Sequence, residues 1–550
     1  MASFLYVEAG CRISTIIYPM KLLFFSILAL VIQTNAIAQY MQINWQTCYM
    51  INPTGDHPSG VIPTGDGYLV SGTMFPPTSH AKVFLFKTDL QGNVLWDKTF
   101  GGNIAEASRA KLTPSGDGNY LLYAHTHSTS GDITYNPYPG SASYWVIEID
   151  SDGNKLWDKI YGGSGTDEVQ EGIPTSDGGF AVFGRTTSDD GDVSVHYGSW
   201  DMWMVKADSL GEVQLDFTIG GSGMDFAHAI IQTSDGGYLL GGSAQVAGGG
   251  NYMCEPYNWY AESVLFKIDS NANVEWQHCY SSSHHNGINA VLETGDGYVV
   301  VGFNAANDGD MAGCGYHPGF HPNGEPTTDI WLAKLDFSGD IVWQRCLGGS
   351  GTETARNLFE TAEGDYLIFG RTHSHDGDVS GNNSYPNHTY SDVWVVKVSS
   401  DGELLWQQCI GGLLSEDNPA VSQVNFNTYI LAVSSQSGIS GNKTCVLPGH
   451  HTWVIELTDL TVGITEEPER QSSVKTFPIP ANDYLNFEVN GLRLEGAKLG
   501  LFDVYGRHVA VQEIISEQSI LDVSGLPGGV YFYKVVLGEI PYSGKIVIQR

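Results

Sequence analysis

The sequence predicts an all-β chain: a seven-bladed β-propeller closed by an N-terminal strand, followed by a small Ig-like β-sandwich. Three observations carry that prediction. A segment of about sixty residues recurs from Trp45 to about Leu460. Every apolar stretch within it is short, strand-like and bounded by turn residues, and none has a helical period. The ends of the array are staggered, because NWQTCYM (44–50) is a lone fourth stretch while the last copy stops after its third, HTWVIELTDL (451–460). The lone stretch supplies the strand that the last sheet lacks, which closes a ring and removes its free edges. An open stack would carry capping repeats instead.

Within a copy, the first and second stretches are joined by a tight turn: GDGY (65–68), GDGNY (116–120), SDGGF (176–180), SDGGY (234–238), GDGY (295–298), EGDY (363–366) and the degraded NFNTY (425–429). A long loop follows in six copies, at 128–142, 188–200, 246–260, 305–328, 374–391 and 436–450. The third stretch centres on Trp145, Trp203, Trp331, Trp394 and Trp453, with Phe84 and Val264 in the same slot. The fourth is aligned on Trp45, Trp96, Trp157, Leu215, Trp276, Trp343 and Trp406, and it ends in motifs such as LWDKIYGG (156–163). Eleven of the thirteen tryptophans occupy these two slots, where packing between sheets is their expected role. In a propeller the long loops share one face with the links between blades, so one face is elaborated and the other plain.

With 26 basic against 61 acidic residues, the net charge is −35, which excludes a phosphate-neutralising surface and hence nucleic acid as partner. Residues 20–38 read as a signal peptide: Met20-Lys21, the apolar run LLFFSILALVI, then Ala36-Ile37-Ala38 with cleavage expected after Ala38. Residues 1–19 then form an over-extended start. No later segment is long and apolar enough to span a bilayer, so the mature chain is expected to lack a transmembrane segment. The expected organisation is a propeller over 39–460, a linker over 461–473 and a C-terminal module over 474–550.

Cysteine spacing tests the alignment. Cys48, Cys279, Cys346 and Cys409 lie three residues after a fourth-stretch Trp, whereas Cys254, Cys314 and Cys445 lie in long loops. Each loop cysteine meets the strand cysteine of its own blade, which predicts Cys254–Cys279, Cys314–Cys346 and Cys48–Cys445 and leaves Cys409 a buried thiol. Export into an oxidising compartment favours this over seven free thiols.

The C-terminal module contains F-P-x-P-A-x-D-Y-L at Phe477–Leu485, L-F-D-x-Y-G-R at Leu501–Arg507 and L-P-G-G-V-Y-F-Y at Leu526–Tyr533, then a terminal strand with Gly544-Lys545. It resembles the type A C-terminal sorting domain of the type IX secretion system of Bacteroidetes, departing from it at Ile479, where the family has Asn. The resemblance implies a chain that engages the type IX machinery through residues 474–550, crosses the outer membrane, loses the module, and is then released or held at the cell surface. The repeats look like those of propeller cargo with the same tail, and more weakly like those of pyrroloquinoline-quinone dehydrogenases.

Candidate chemistry lies on the elaborated face. Asp190-Gly191-Asp192, Asp308-Gly309-Asp310 and Asp376-Gly377-Asp378 repeat a D-G-D element that suits either a Ca²⁺ ion or an Asx-type turn. Calcium is accordingly the one cofactor left open. Glu106, Asp167, Asp225, Glu353 and Glu416 open the innermost strands and either ring a ligand at the channel mouth or accept hydrogen bonds from the Gly-Gly turns. Histidines cluster nearby (His125 and His127, His284 and His285, His317 and His321, His373 and His375, His450 and His451) without a zinc spacing. Trp200 and Trp259, beside Tyr197, Tyr257 and Tyr260, suit sugar or protein contact or else pack their own loops. No nucleophile elbow, phosphate loop or HExxH is present. The expectation is a secreted or cell-surface binding or adhesion protein without catalysis, with a glycan or surface protein as partner. The alternative is a glycan-active hydrolase or lyase, which needs two carboxylates converging in an open pocket at the channel mouth.

Overall fold

The computed structural model describes residues 40–549 apart from 78–79, 105, 107–109, 116–117, 246–248, 255–259, 387–388, 462–473, 478–480, 490–497, 503–507, 514–515, 517 and 538–539. The over-extended start, the signal peptide and its cleavage after Ala38, nearly all of the linker, and Tyr257 and Trp259 therefore lie outside the described residues.

The described residues from Met41 to Asp459 form seven four-stranded antiparallel sheets. Six are sequential meanders over residues 56–100, 111–161, 167–219, 225–280, 286–347 and 353–410. The seventh takes three strands from residues 416–459 and its fourth from the other end of the repeat array. That strand, Met41–Tyr49, pairs antiparallel with His451–Asp459, with Cys48 opposite Trp453.

The repeated residues account for the packing. All third-strand tryptophans are fully buried, and each indole N–H donates to a fourth-strand side chain: Trp145 to Asp158, Trp203 to Asp216, Trp331 to Gln344, Trp394 to Gln407 and Trp453 to Gln46. Fourth-strand tryptophans pack on the third-to-fourth turn of the next sheet. A Cβ on Gly153 would sit 2.5 Å from Trp96, and one on Gly402 2.8 Å from Trp343, so these turns carry glycine. The same contact joins the ends of the array, where Trp45 of sheet seven covers Gly92 of sheet one. One apolar cluster combines Val61, Tyr68, Val70 and Phe84 of sheet one with Ile430, Ala432 and Val454 of sheet seven.

Acids of the plain face are also structural. Turn residues Asp66, Asp177, Asp235 and Asp296 pair with the mostly buried third-strand lysines Lys87, Lys206, Lys267 and Lys334. In the third-to-fourth turns an aspartate such as Asp269 accepts from backbone N–H groups two and four residues on, Asn271 and Asn273, both at 2.8 Å. The residue between these two N–H groups is left-handed: Gly in sheets one, two, three, five and six, but Ala272, φ 62°, in sheet four.

Three disulfides join Cys48 to Cys445, Cys254 to Cys279 and Cys314 to Cys346, and Cys409 is a buried free thiol. These are the pairs that the spacing of loop and strand cysteines places together. The C-terminal module has seven described strands in a three-stranded and a four-stranded sheet. They enclose a separate core of Leu485, Phe487, Leu499, Leu501, Val535 and Ile546.

Candidate functional site

At one end of each sheet, the loop between second and third strands meets the turn through which the chain enters. The D-G-D elements join the two. Asp192 accepts from Gly162 N–H at 3.0 Å and donates its own N–H to the Gly162 carbonyl at 2.8 Å. Asp310 makes the same pair of bonds with Ser281, and Asp378 with Gly348. The first acid of each element accepts from the residue two further on: Asp190 from Ser164, Asp308 from Ser283 and Asp376 from Ser350, at 2.6–2.7 Å. Asp132, Asn251 and Asn442 repeat the latch on Gly101, Gly220 and Gly411, two of them with an amide, which carries no charge for a cation. The glycine between is left-handed, and a Cβ on Gly377, φ 66°, would run into the Gly348 carbonyl oxygen. Among the described residues no three His, Cys, Asp or Glu side chains gather as a metal ion requires. These hydrogen bonds are those of a turn latch.

The strand-opening acids lie beneath this layer. Glu106, Asp167, Asp225, Glu353 and Glu416 are fully buried. Each accepts from the second residue of its Gly-Gly turn: Gly102, Gly163, Gly221, Gly349 and Gly412, at 2.8–3.0 Å. Burial raises the pKa of Asp225 to about 8 and lifts those of Asp167, Glu353 and Glu416.

A second set of buried acids is absent from the sequence reading. Asp201, Glu262, Asp329 and Asp392 open third strands and are at most 1 % exposed. Asp201 accepts from Tyr197 N–H, Asp329 from His317 N–H and Asp392 from Asn383 N–H, so each holds the long loop of its own sheet. Burial pushes Asp392 up to about 8 and Asp329 to about 7. The signal was present as an acid two residues before the third-strand Trp, in Asp201-Met202-Trp203, Asp329-Ile330-Trp331 and Asp392-Val393-Trp394.

Trp200 is not a free platform. It is half-buried under Arg185, 4.2 Å from the ring, and Arg185 is in turn paired with Glu168 and stacked on Phe226 at 5.0 Å. The histidines disperse into separate contacts: His317 with Asp329, His321 with Thr352, His375 with the Ser384 carbonyl, His451 with Lys443, and His284 and His285 around Tyr260.

What the loops do expose is apolar. Phe75, Tyr135, Tyr197, Met253, Phe320, Tyr385 and Ile439, one from each of the seven loops, are 36–82 % accessible. A cavity of about 370 Å³ opens beside the Cys254–Cys279 disulfide, lined by Gln277, His278, Ser281 and Asp310 among others. Among the described lining residues Asp310 supplies the one carboxylate, and that group accepts from Ser281 N–H.

The family described as "Secretion system C-terminal sorting domain" matches residues 475–549. The tail is a type IX sorting signal. It directs export to the cell surface or extracellular space, and it implies an encounter with the type IX machinery. No helix among the described residues is long and apolar enough to cross a membrane. A search of curated proteins finds no match. Among solved structures, a protein of unknown function from Dyadobacter fermentans is 11 % identical, with 76 % of this chain and 99 % of that chain covered and a TM-score of 0.37. The Pan2 WD40 domain of Neurospora crassa is 11 % identical, with coverage of 76 % and 95 % and a TM-score of 0.41. A puromycin hydrolase is 9 % identical, with coverage of 78 % and 58 % and a TM-score of 0.39.

Proposed function

We propose that the seven sheets close into a seven-bladed propeller over residues 39–460 and that this body is an exported, non-catalytic binding module acting through its long-loop face. Closure is supported by the Met41–Tyr49 strand, the Trp45–Gly92 contact and the apolar cluster shared by sheets one and seven. The binding reading rests on one observation: the loop between second and third strands presents a large apolar side chain to solvent in each of the seven sheets, while the strand-opening and third-strand acids lie buried beneath those loops. Exposed apolar surface rimmed by polar loops marks an interaction face, and aromatic anchors suit a glycan or a surface protein.

A glycan hydrolase needs an acid and a second carboxylate reachable by substrate. Here acids of raised pKa do converge in pairs, but they are sealed beneath the Gly-Gly turns, and the open cavity holds one carboxylate.

The test is a glycan array and a cell-surface binding assay with the full chain and with Tyr135→Ala/Phe320→Ala/Tyr385→Ala. Truncating three anchors is expected to weaken binding at least tenfold, about 1.4 kcal/mol. Release of sugar products from any bound glycan would overturn the non-catalytic reading.

A further inference from the structure

The buried acids meet in pairs at the seams between sheets. The third-strand acid of one sheet and the strand-opening acid of the next approach the same Gly-Gly turn. A Cβ built on Gly348 would lie 2.7 Å from Asp329 Oδ1 and 2.6 Å from Glu353 Oε2. One on Gly411 would meet Asp392 Oδ1 and lie 2.7 Å from Glu416 Oε2. At the seam between sheets three and four, Asp201 Oδ1 abuts Gly220 while Asp225 accepts from Gly221 N–H. All six side chains are fully buried. In each pair the third-strand acid keeps its Oδ1 buried and without a donor, namely Asp201, Asp329 and Asp392, whereas Asp225 also shares a hydrogen bond with the Tyr252 phenol. An ionised pair in such a place is unsatisfied twice, by desolvation and by like charge. One proton on the bare Oδ1 removes a charge from the pair.

We propose that each of these three seams holds a single shared proton at neutral pH, which makes the long-loop layer a pH-responsive element that is tightest in mildly acidic medium. The remaining seams act as internal controls. There the third-strand slot and the strand-opening slot combine Lys82 with Glu106, Ser143 with Asp167, Glu262 with Asn286 and, between sheets seven and one, His451 with Asp56, so none places two acids together. The Glu262–Asn286 seam shows that the fold accepts an amide in the strand-opening slot.

Other charged and titratable groups reach the pairs from each packed element. His317 Nδ1 lies 2.9 Å from Asp329 Oδ2, with Asp378 3.9 Å beyond on His317 Nε2, and Tyr316 lies close by. His373 N–H and Thr372 and Ser374 bond Glu353. Lys443 from the last long loop acts on Glu416, and the buried Cys409 thiol faces Asp392. His196 stands 3.7 Å from Asp201, and the Tyr252 phenol is pushed up by burial and then by Asp225. None of these is an anion-pairing cation seated between the two acids of a pair.

Burial raises Asp225 and Asp392 to about 8 and Asp329 to about 7, with the partner acid's charge acting in the same direction. These groups titrate near 4 when unfolded. The folded state therefore holds more protons between about pH 4 and 8, and stability falls as pH rises through that window. Because the third-strand acid holds the long loop and its partner holds the turn, ionisation acts where those two segments meet.

The test counts protons released on unfolding the full chain at pH 6.5, by calorimetry in buffers of different ionisation enthalpy. Asp392→Asn is expected to release one proton fewer than the wild type, and Asp201→Asn/Asp329→Asn/Asp392→Asn three fewer. Unchanged counts would overturn the proposal. Infrared spectroscopy of the wild type needs no variant to fold: a protonated-carboxyl band must be present at pH 6.5 and fade above pH 8, and its absence refutes the shared protons. Calcium that displaces that band from the folded protein would make the pairs cation sites instead, and would equally refute the proposal.

Discussion

Removing the Cys48–Cys445 disulfide is the most searching perturbation of this fold, because that bond joins residues 397 apart in sequence while the others span 25 and 32. In the chain-entropy treatment a loop of that length contributes about 5–6 kcal/mol, against about 3.5 kcal/mol for each short one. The difference has a structural counterpart. Met41–Tyr49 is tied to sheet seven by one hydrogen-bonded edge and to sheet one by Trp45 and Tyr49, with no chain connection to sheet seven other than through the whole array. Cys48→Ser/Cys445→Ser should therefore lose about 2 kcal/mol more in denaturant unfolding than Cys254→Ser/Cys279→Ser. Hydrogen exchange adds a local readout, since the amides of Met41–Tyr49 should lose protection ahead of the six sequential sheets. Equal losses in the two variants, with unchanged exchange along Met41–Tyr49, would refute the idea that this strand clasps the array shut.

Ala272 holds a left-handed turn position that glycine fills in sheets one, two, three, five and six, so Ala272→Gly should stabilise by about 1 kcal/mol, read as a raised unfolding midpoint. Gly377→Ala combines a φ of 66° with a collision against the Gly348 carbonyl; a loss of about 1–3 kcal/mol is expected, with faster exchange confined to loop 374–391 and its turn. Asp177 and Asp235 are drawn down to about 2: their burial works upward but is outweighed by the Lys206 and Lys267 ammonium groups together with threonine and backbone hydrogen bonds. Their contribution is present above about pH 4 and lost as pH falls toward 2, so Asp235→Asn should flatten part of the acid limb of a stability profile while leaving the limb above pH 6 unchanged.

The sequence disclosed the scaffold because the scaffold repeats. Trp slots and Gly-Gly turns recur at matching offsets, and each corresponds to a contact made again in most of the sheets. The same periodicity left the site ambiguous. D-G-D is compatible with calcium or with a latch, and the latch bonds run to the Gly162, Ser281 and Gly348 backbone groups opposite it, which no local pattern encodes. Trp200 read as an exposed aromatic because its partner Arg185 is on another strand of the sheet, at a distance no local pattern encodes. The third-strand acids were legible as an acid two residues before Trp, yet their meaning lies in the next sheet, about 24 residues on, where Asp225, Glu353 and Glu416 approach them.

That division separates scaffold from function. A residue that recurs in most copies answers a demand those copies share: Asp192 and Glu353 fasten the turn between neighbouring sheets, while Lys267 and Trp394 bond across their own sheet. Recognition of a single partner makes no such repeated demand, because the partner lacks the array's repeat. The residues that bind it must then be sought among positions where the copies differ, and the long loops differ in every copy while each still spends exposed apolar surface, from Phe75 to Ile439. Exposed apolar surface brings the fold no burial energy and raises the risk of association. The binding role proposed above gives that exposed surface on the seven second-to-third loops a use.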